Sequence, residues 1–114
     1  DSRDQSLRRM MMLHRDALAQ LLATNGEFTE ALREEAAIAL ASFKNRRSIP
    51  FLLEILRNPK EKYRVQSAAL LALKALDDNS TISELYENSI YHSNLAIRAE
   101  IKLLLKDMLQ RRFH

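Results

Sequence analysis

One segment of this chain is written three times. Leu32-Arg33-Glu34-Glu35-Ala36, Val65-Gln66-Ser67-Ala68-Ala69 and Ile97-Arg98-Ala99-Glu100-Ile101 align at offsets of 33 and 32 residues. The correspondence continues downstream. Ala39-Leu40 matches Ala72-Leu73 and Leu104-Leu105, and Phe43 matches Leu76 and Met108. Within each copy the apolar residues fall at i, i+4, i+7, i+8 and i+11, one stripe of an α-helix. A repeat of this length, with a helical stripe in each copy, points to a stack of supersecondary units that bury a core only by packing on one another.

A further helix precedes each copy. Ile49, Leu52, Leu53 and Leu56 form a stripe, with Leu18, Leu21 and Leu22 as its upstream counterpart and Ile82, Leu85 and Tyr86 downstream. Asn58-Pro59-Lys60-Glu61 reads as an N-cap, a first-position proline and a capping-box glutamate. Thr81-Ile82-Ser83-Glu84 reads as a second capping box, after the turn Asp77-Asp78-Asn79-Ser80. Asn25-Gly26 ends the first upstream helix and Ser93-Asn94 starts the last one. The expected fold is all-α: six helices at about 5–23, 28–44, 49–57, 60–76, 81–91 and 95–111, paired antiparallel into a three-unit superhelix.

Composition agrees. The chain has 114 residues, one glycine, two prolines and no cysteine. Hairpins and sandwiches lean on Gly, Asn-Gly and Pro at each reversal, so an all-β fold lacks its turn chemistry. Without cysteine there is neither a disulfide framework nor a thiolate metal site. The length fits one domain, residues 1–114, with units at about 5–44, 48–76 and 80–111. The sequence opens on Asp1 and not on methionine, which leads us to expect a piece of a longer chain. A cysteine-free chain fits a cytoplasmic location, and no apolar run is long enough to span a membrane.

Ser48-Ile49-Pro50-Phe51-Leu52-Leu53-Glu54-Ile55-Leu56-Arg57-Asn58-Pro59, followed by Val65, Ala68-Ala69 and Ala72-Leu73, resembles a HEAT repeat. Leu32-Arg33-Glu34-Glu35-Ala36-Ala37-Ile38-Ala39-Leu40 is similar to the second-helix motif of that family, and the Ile97-Arg98 copy is a weaker match. The resemblance covers about residues 15–110. Tetratricopeptide repeats have nearly the same period but carry aromatic–Gly signatures lacking here, and armadillo repeats add a third helix for which there is no room. HEAT repeats usually carry an Arg in the second helix and an Asp in the turn before it, pairing along the stack. Arg33 and Arg98 match that Arg, Gln66 takes its place in the middle unit, and Asn25 and Asn58 stand where the Asp would be. The resemblance thus implies a structural ladder of these five residues. It also implies that the second helices line a concave face, with Glu35, Gln66, Lys74 and Lys102 as candidate contacts to a partner.

No constellation points to catalysis. His14, His92 and His114 have no metal-type spacing to one another. Glu34-Glu35 and Asp77-Asp78 are adjacent pairs, which on a helix do not face each other. One glycine cannot build a phosphate-binding loop. The expectation is a non-enzymatic module without cofactor or metal. Met10-Met11-Met12-Leu13 wraps its helix with apolar side chains, which fits packing on a neighbouring unit or on a partner, or an adaptable binding surface.

The net charge of +3 is unevenly spread: residues 44–64 hold 7 basic and 2 acidic side chains. Lys44, Arg46, Arg47, Arg57, Lys60 and Lys62 are therefore candidates for an acidic partner or a nucleic-acid backbone, as in HEAT-like DNA glycosylases. A solvated surface is the favoured account of them, ahead of either ligand, because Arg47 and Arg57 lie about 15 Å apart along one helix. The leading expectation is protein binding and scaffolding, with nucleic-acid binding or a structural arm of a larger protein as alternatives. Uncapped terminal helices also allow self-association.

Overall fold

The computed structural model describes residues 30–43 and 46–113. Among them it is all-helical. Five α-helices run α1 (Glu30–Phe43), α2 (Ile49–Arg57), α3 (Tyr63–Leu76), α4 (Ile82–Tyr91) and α5 (Leu95–Arg112), with short 3-10 turns at Arg46–Ser48 and Asn79–Thr81. The first expected helix, the Met10–Met12 cluster, Asn25 and Gly26 lie outside the described residues, as do Lys44 and His114.

The helix starts differ from their sequence signatures in two places. α3 begins at Tyr63, with Lys62 as its N-cap, and not at Lys60. Asn58 instead terminates α2: its N–H donates to Glu54 O (3.1 Å) and Ile55 O (3.3 Å). Its Oδ1 takes the N–H of Lys60 at 3.0 Å, an Asx turn around Pro59. Glu61, read as a capping residue, is turned toward α1. Thr81 makes no capping bond to α4. Its hydroxyl donates to Asp78 O at 2.8 Å, while Glu84 reaches Arg57 on α2. In both cases a longer-range partner outcompetes the local cap. Pro50 lies in the first turn of α2, where a missing N–H costs nothing. Asn94 caps α5 as its sequence suggests, with Oδ1 accepting from Ala96 N and Ile97 N.

α3 is the central helix. It packs against α1, α2 and α5, and α5 packs in turn on α4. Where their side chains are described, the stripe positions of the aligned segments are buried or partly buried. Ala36, Ala69 and Ile101 are fully enclosed, as are Val65 and Ile97; Leu73 and Leu105, then Leu76 and Met108, follow at the next turns. Small residues at Ala36, Ala37, Ala69 and Ala72 let the α1 and α3 backbones approach closely. The first-helix stripe is corrected at one point: Tyr86, expected in the core beside Leu85, is exposed, and Ser89 and His92 are buried in its stead. A tyrosine at the place of Leu53 sits on the flank of α4, where no later helix of the described chain covers it.

The turn after α3 needs a left-handed residue, and Asp77 supplies it at φ 47°. Aspartate tolerates that conformation better than most non-glycine residues. Arg111 and Arg112 clamp it from α5. Arg111 Nη1 lies 2.7 Å from Asp77 Oδ2, and Arg112 Nη2 donates to Asp77 O at 2.9 Å. The Arg111 hydrogen bond holds the Asp77 carboxyl below its ordinary value of 3.8, and the Ser80 N–H does the same for Asp78. A depressed carboxylate pKa stabilises the fold above the unfolded value and loses that contribution as pH falls through the folded one. Stability in urea is therefore expected to decline below pH about 4, and Asp77→Asn should flatten that decline.

Candidate interaction surface

The aligned polar position of the second helices does one recurrent job. Gln66 Nε2 donates to Asn58 O at 2.8 Å, the carbonyl of the residue that ends α2. One unit later, Arg98 Nε donates to His92 O, the residue that ends α4. Both side chains thus bond the carbonyl of the residue at which the preceding helix stops, and Asn58 O also accepts from Glu61 N–H at 3.1 Å. Gln66 also reaches Leu56 O (3.2 Å), which receives His92 Nε2 from the next unit at 2.6 Å. Asn94 N–H donates to His92 Nδ1 at 3.0 Å, so Nε2 carries the proton and donates. Arg33 differs. It forks onto Glu61, with Nε donating to Oε1 at 3.3 Å and Nη2 to Oε2, both side chains nearly enclosed. Gln66 is only 2% exposed, which removes it from the outward contacts to a partner.

The basic middle is dispersed and paired. Arg46 lies 3.5 Å from Asp78, Arg57 3.1 Å from Glu84, and Arg64 contacts Glu34. Each partner sits roughly one repeat away in sequence. Arg46 and Arg47 stand at one end of α2 and Arg57, Lys60 and Lys62 at the other, so the structure does not gather them into one patch. The Arg46, Arg57 and Arg64 pairs link one unit to the next, although exposed pairs of this kind stabilise by at most about 1 kcal/mol.

The apolar surface is ordered by the repeat. Ile38, Leu71 and Leu103 occupy equivalent positions on α1, α3 and α5, and all three are exposed, at 44%, 56% and 69%. Between α3 and α5 lies a groove of about 240 Å³, lined by Ser67, Leu70, Leu71 and Lys74 on one side and Glu100, Leu103, Leu104 and Asp107 on the other. Of the predicted partner contacts, only Lys74 lines this groove. Lys102 holds the position of Leu70 on the far flank of α5, and Glu35 is exposed on α1. Sequence reasoning missed Leu71, Leu103 and Glu100. Recurrence of an apolar residue just off the buried stripe is the signal that marks the two leucines.

Tyr63 OH donates to Glu100 Oε1 at 2.8 Å, and that bond raises the tyrosine hydroxyl above its ordinary value. Glu100 Oε2 is shielded from solvent and has no hydrogen-bond partner among the described residues. No cluster of three or more His, Cys, Asp or Glu side chains with metal-binding geometry occurs among the described residues. No helix there is long and apolar enough to cross a membrane.

Successive helices that bury equivalent positions, tied by bonds spanning one repeat length, define a helical-repeat protein. The chain belongs to the HEAT-repeat family, whose model, described as HEAT repeats, matches residues 15–106. HEAT repeats generally mediate protein–protein interaction. No curated protein and no solved structure matches the chain significantly.

Proposed function

We propose that this chain is a non-enzymatic scaffolding module, a short solenoid of three antiparallel helix pairs that binds a protein partner on the face presented by α1, α3 and α5. One observation carries the reading. Ile38, Leu71 and Leu103 repeat an exposed apolar residue at the same register on three successive helices. A solvated face has no reason to keep that register, whereas a contact surface does. The ladder residues Arg33, Gln66 and Arg98, with Asn58 in the turn after α2, are assigned to holding the stack, and the outward side chains Glu35 and Lys74 to the rim of the contact. Leu71→Glu with Leu103→Glu is expected to abolish partner binding in pull-down while Tyr91→Glu, on α4, leaves it intact. Equal loss from both would remove the assignment.

Nucleic-acid binding through Lys44, Arg46, Arg47, Arg57, Lys60 and Lys62 is not favoured, because Arg46 and Arg57 are engaged by carboxylates. Duplex DNA is expected to bind no more tightly than the non-specific level of about 10⁻⁴–10⁻⁶ M at physiological salt. Arg57→Ala should leave that binding unchanged within twofold in a fluorescence-anisotropy titration.

A further inference from the structure

We infer that the groove between α3 and α5 accepts an amphipathic helical peptide that inserts a large apolar side chain between Leu71 and Leu103 and sets a lysine or arginine against Glu100. The inference rests on the proposed binding face and adds the chemistry of its occupant.

The groove's size argues for a side-chain anchor. At about 240 Å³ it falls below the roughly 300–1,000 Å³ of small-molecule sites. Its floor is Leu70 and Leu104 and its lips are Leu71 and Leu103, so the part that enters must be apolar. An amphipathic helix laid in a groove presents such anchors at i, i+3 and i+4.

The charge follows from the carboxylates. Of the three charged groups lining the groove, Asp107 already pairs with Arg111 at 3.1 Å. Lys74 stands on the α3 wall, opposite. Glu100 has one oxygen held by Tyr63 and the other shielded, without a partner among the described residues. A buried, unsatisfied carboxylate oxygen is costly, and a cationic donor relieves that cost best. Reaching it takes only rotation about the last torsion of Glu100, which is soft. The chain as a whole is net +3, so its overall field disfavours a cationic ligand and any preference for one must come from a local site.

The test uses the full chain and two acetylated, amidated amphipathic peptides of about four helical turns, one Leu/Lys and one Leu/Glu, titrated at physiological salt and read by amide NMR shifts. The Leu/Lys peptide should perturb Ser67, Leu71, Lys74 and Leu103 and bind at least about tenfold more tightly than the Leu/Glu peptide. Glu100→Gln, with an unchanged spectrum elsewhere, should weaken Leu/Lys binding about tenfold and not weaken Leu/Glu binding. Leu103→Asp should remove the perturbations on α3. Equal affinity for both peptides, or perturbations confined to α4, overturns the inference. Sedimentation showing a dimer that Leu103→Asp dissociates would make a second copy the occupant and also overturn it. If neither peptide binds while Leu71→Glu with Leu103→Glu still abolishes partner capture, the face stands and the cationic chemistry fails.

Discussion

Arg33→Ala is expected to destabilise the chain by about 3–5 kcal/mol, because it leaves the Glu61 carboxylate enclosed without its counter-charge. The side chains of Arg33 and Glu61 are 4% and 7% exposed and meet as a two-pronged fork between α1 and the turn before α3. A domain of ordinary stability holds only about 5–15 kcal/mol, so this one substitution removes a large share of it. Glu61→Leu alone should cost a similar amount. Arg33→Met combined with Glu61→Leu should recover most of the loss, since two packed apolar side chains avoid both desolvation costs. Urea denaturation of the wild type, Arg33→Met, Glu61→Leu and the double variant gives the cycle, with Arg33→Ala measured beside it. A cost below about 1 kcal/mol for each single variant would mean that water screens the pair as it does an exposed one.

The second large effect separates two neighbours on the central helix. Leu73→Ala should cost about 2–5 kcal/mol, because Leu73 is fully enclosed where α3 meets its neighbours. Leu71→Ala should stay within about 0.5 kcal/mol, because that side chain is 56% exposed and anchors nothing within the fold. The pattern should repeat on α5, with Leu105 costly and Leu103 nearly neutral. Such a contrast between positions two residues apart is what a helix with one buried face and one contact face requires.

The helices were legible because the repeat doubles every local signal. A stripe that is ambiguous in one copy is fixed by two others in the same register, and four of the five described helices start within two residues of their sequence bounds, with α3 three residues late. The polar contacts were not legible. Glu61 looked like a capping residue because Asn58-Pro59-Lys60-Glu61 has the spacing for it. Its actual partner, Arg33, is 28 residues away, and nothing local announces it. His92 carried no sequence signal beyond its lack of metal-type spacing to the other histidines. It is enclosed, with Nε2 bonded to Leu56 O one unit earlier, a carbonyl it shares with Gln66. Tyr86 misled in the other direction: its spacing matches the stripe, but the flank it occupies is covered only if another element packs there. For Glu61 and His92 the deciding partner sits roughly one repeat away, so the contact exists only once the units are stacked.

The same stacking explains the basic middle segment. An excess of arginine between residues 44 and 64 suggested an anionic ligand, yet Arg46, Arg57 and Arg64 each meet a carboxylate of an adjoining unit. The candidate surface lies elsewhere, on the apolar register of Ile38, Leu71 and Leu103, where charge is sparse and was therefore no guide.

The absence of cysteine allows a direct test of that surface. Single-cysteine variants Leu71→Cys, Leu103→Cys, Tyr86→Cys and Tyr91→Cys would each carry a benzophenone label, and photo-crosslinking to the bound partner would be measured for all four. The α1/α3/α5 face predicts crosslinks from positions 71 and 103 and none from 86 and 91. Crosslinks from 86 and 91 alone would place the contact on α4 and contradict the account.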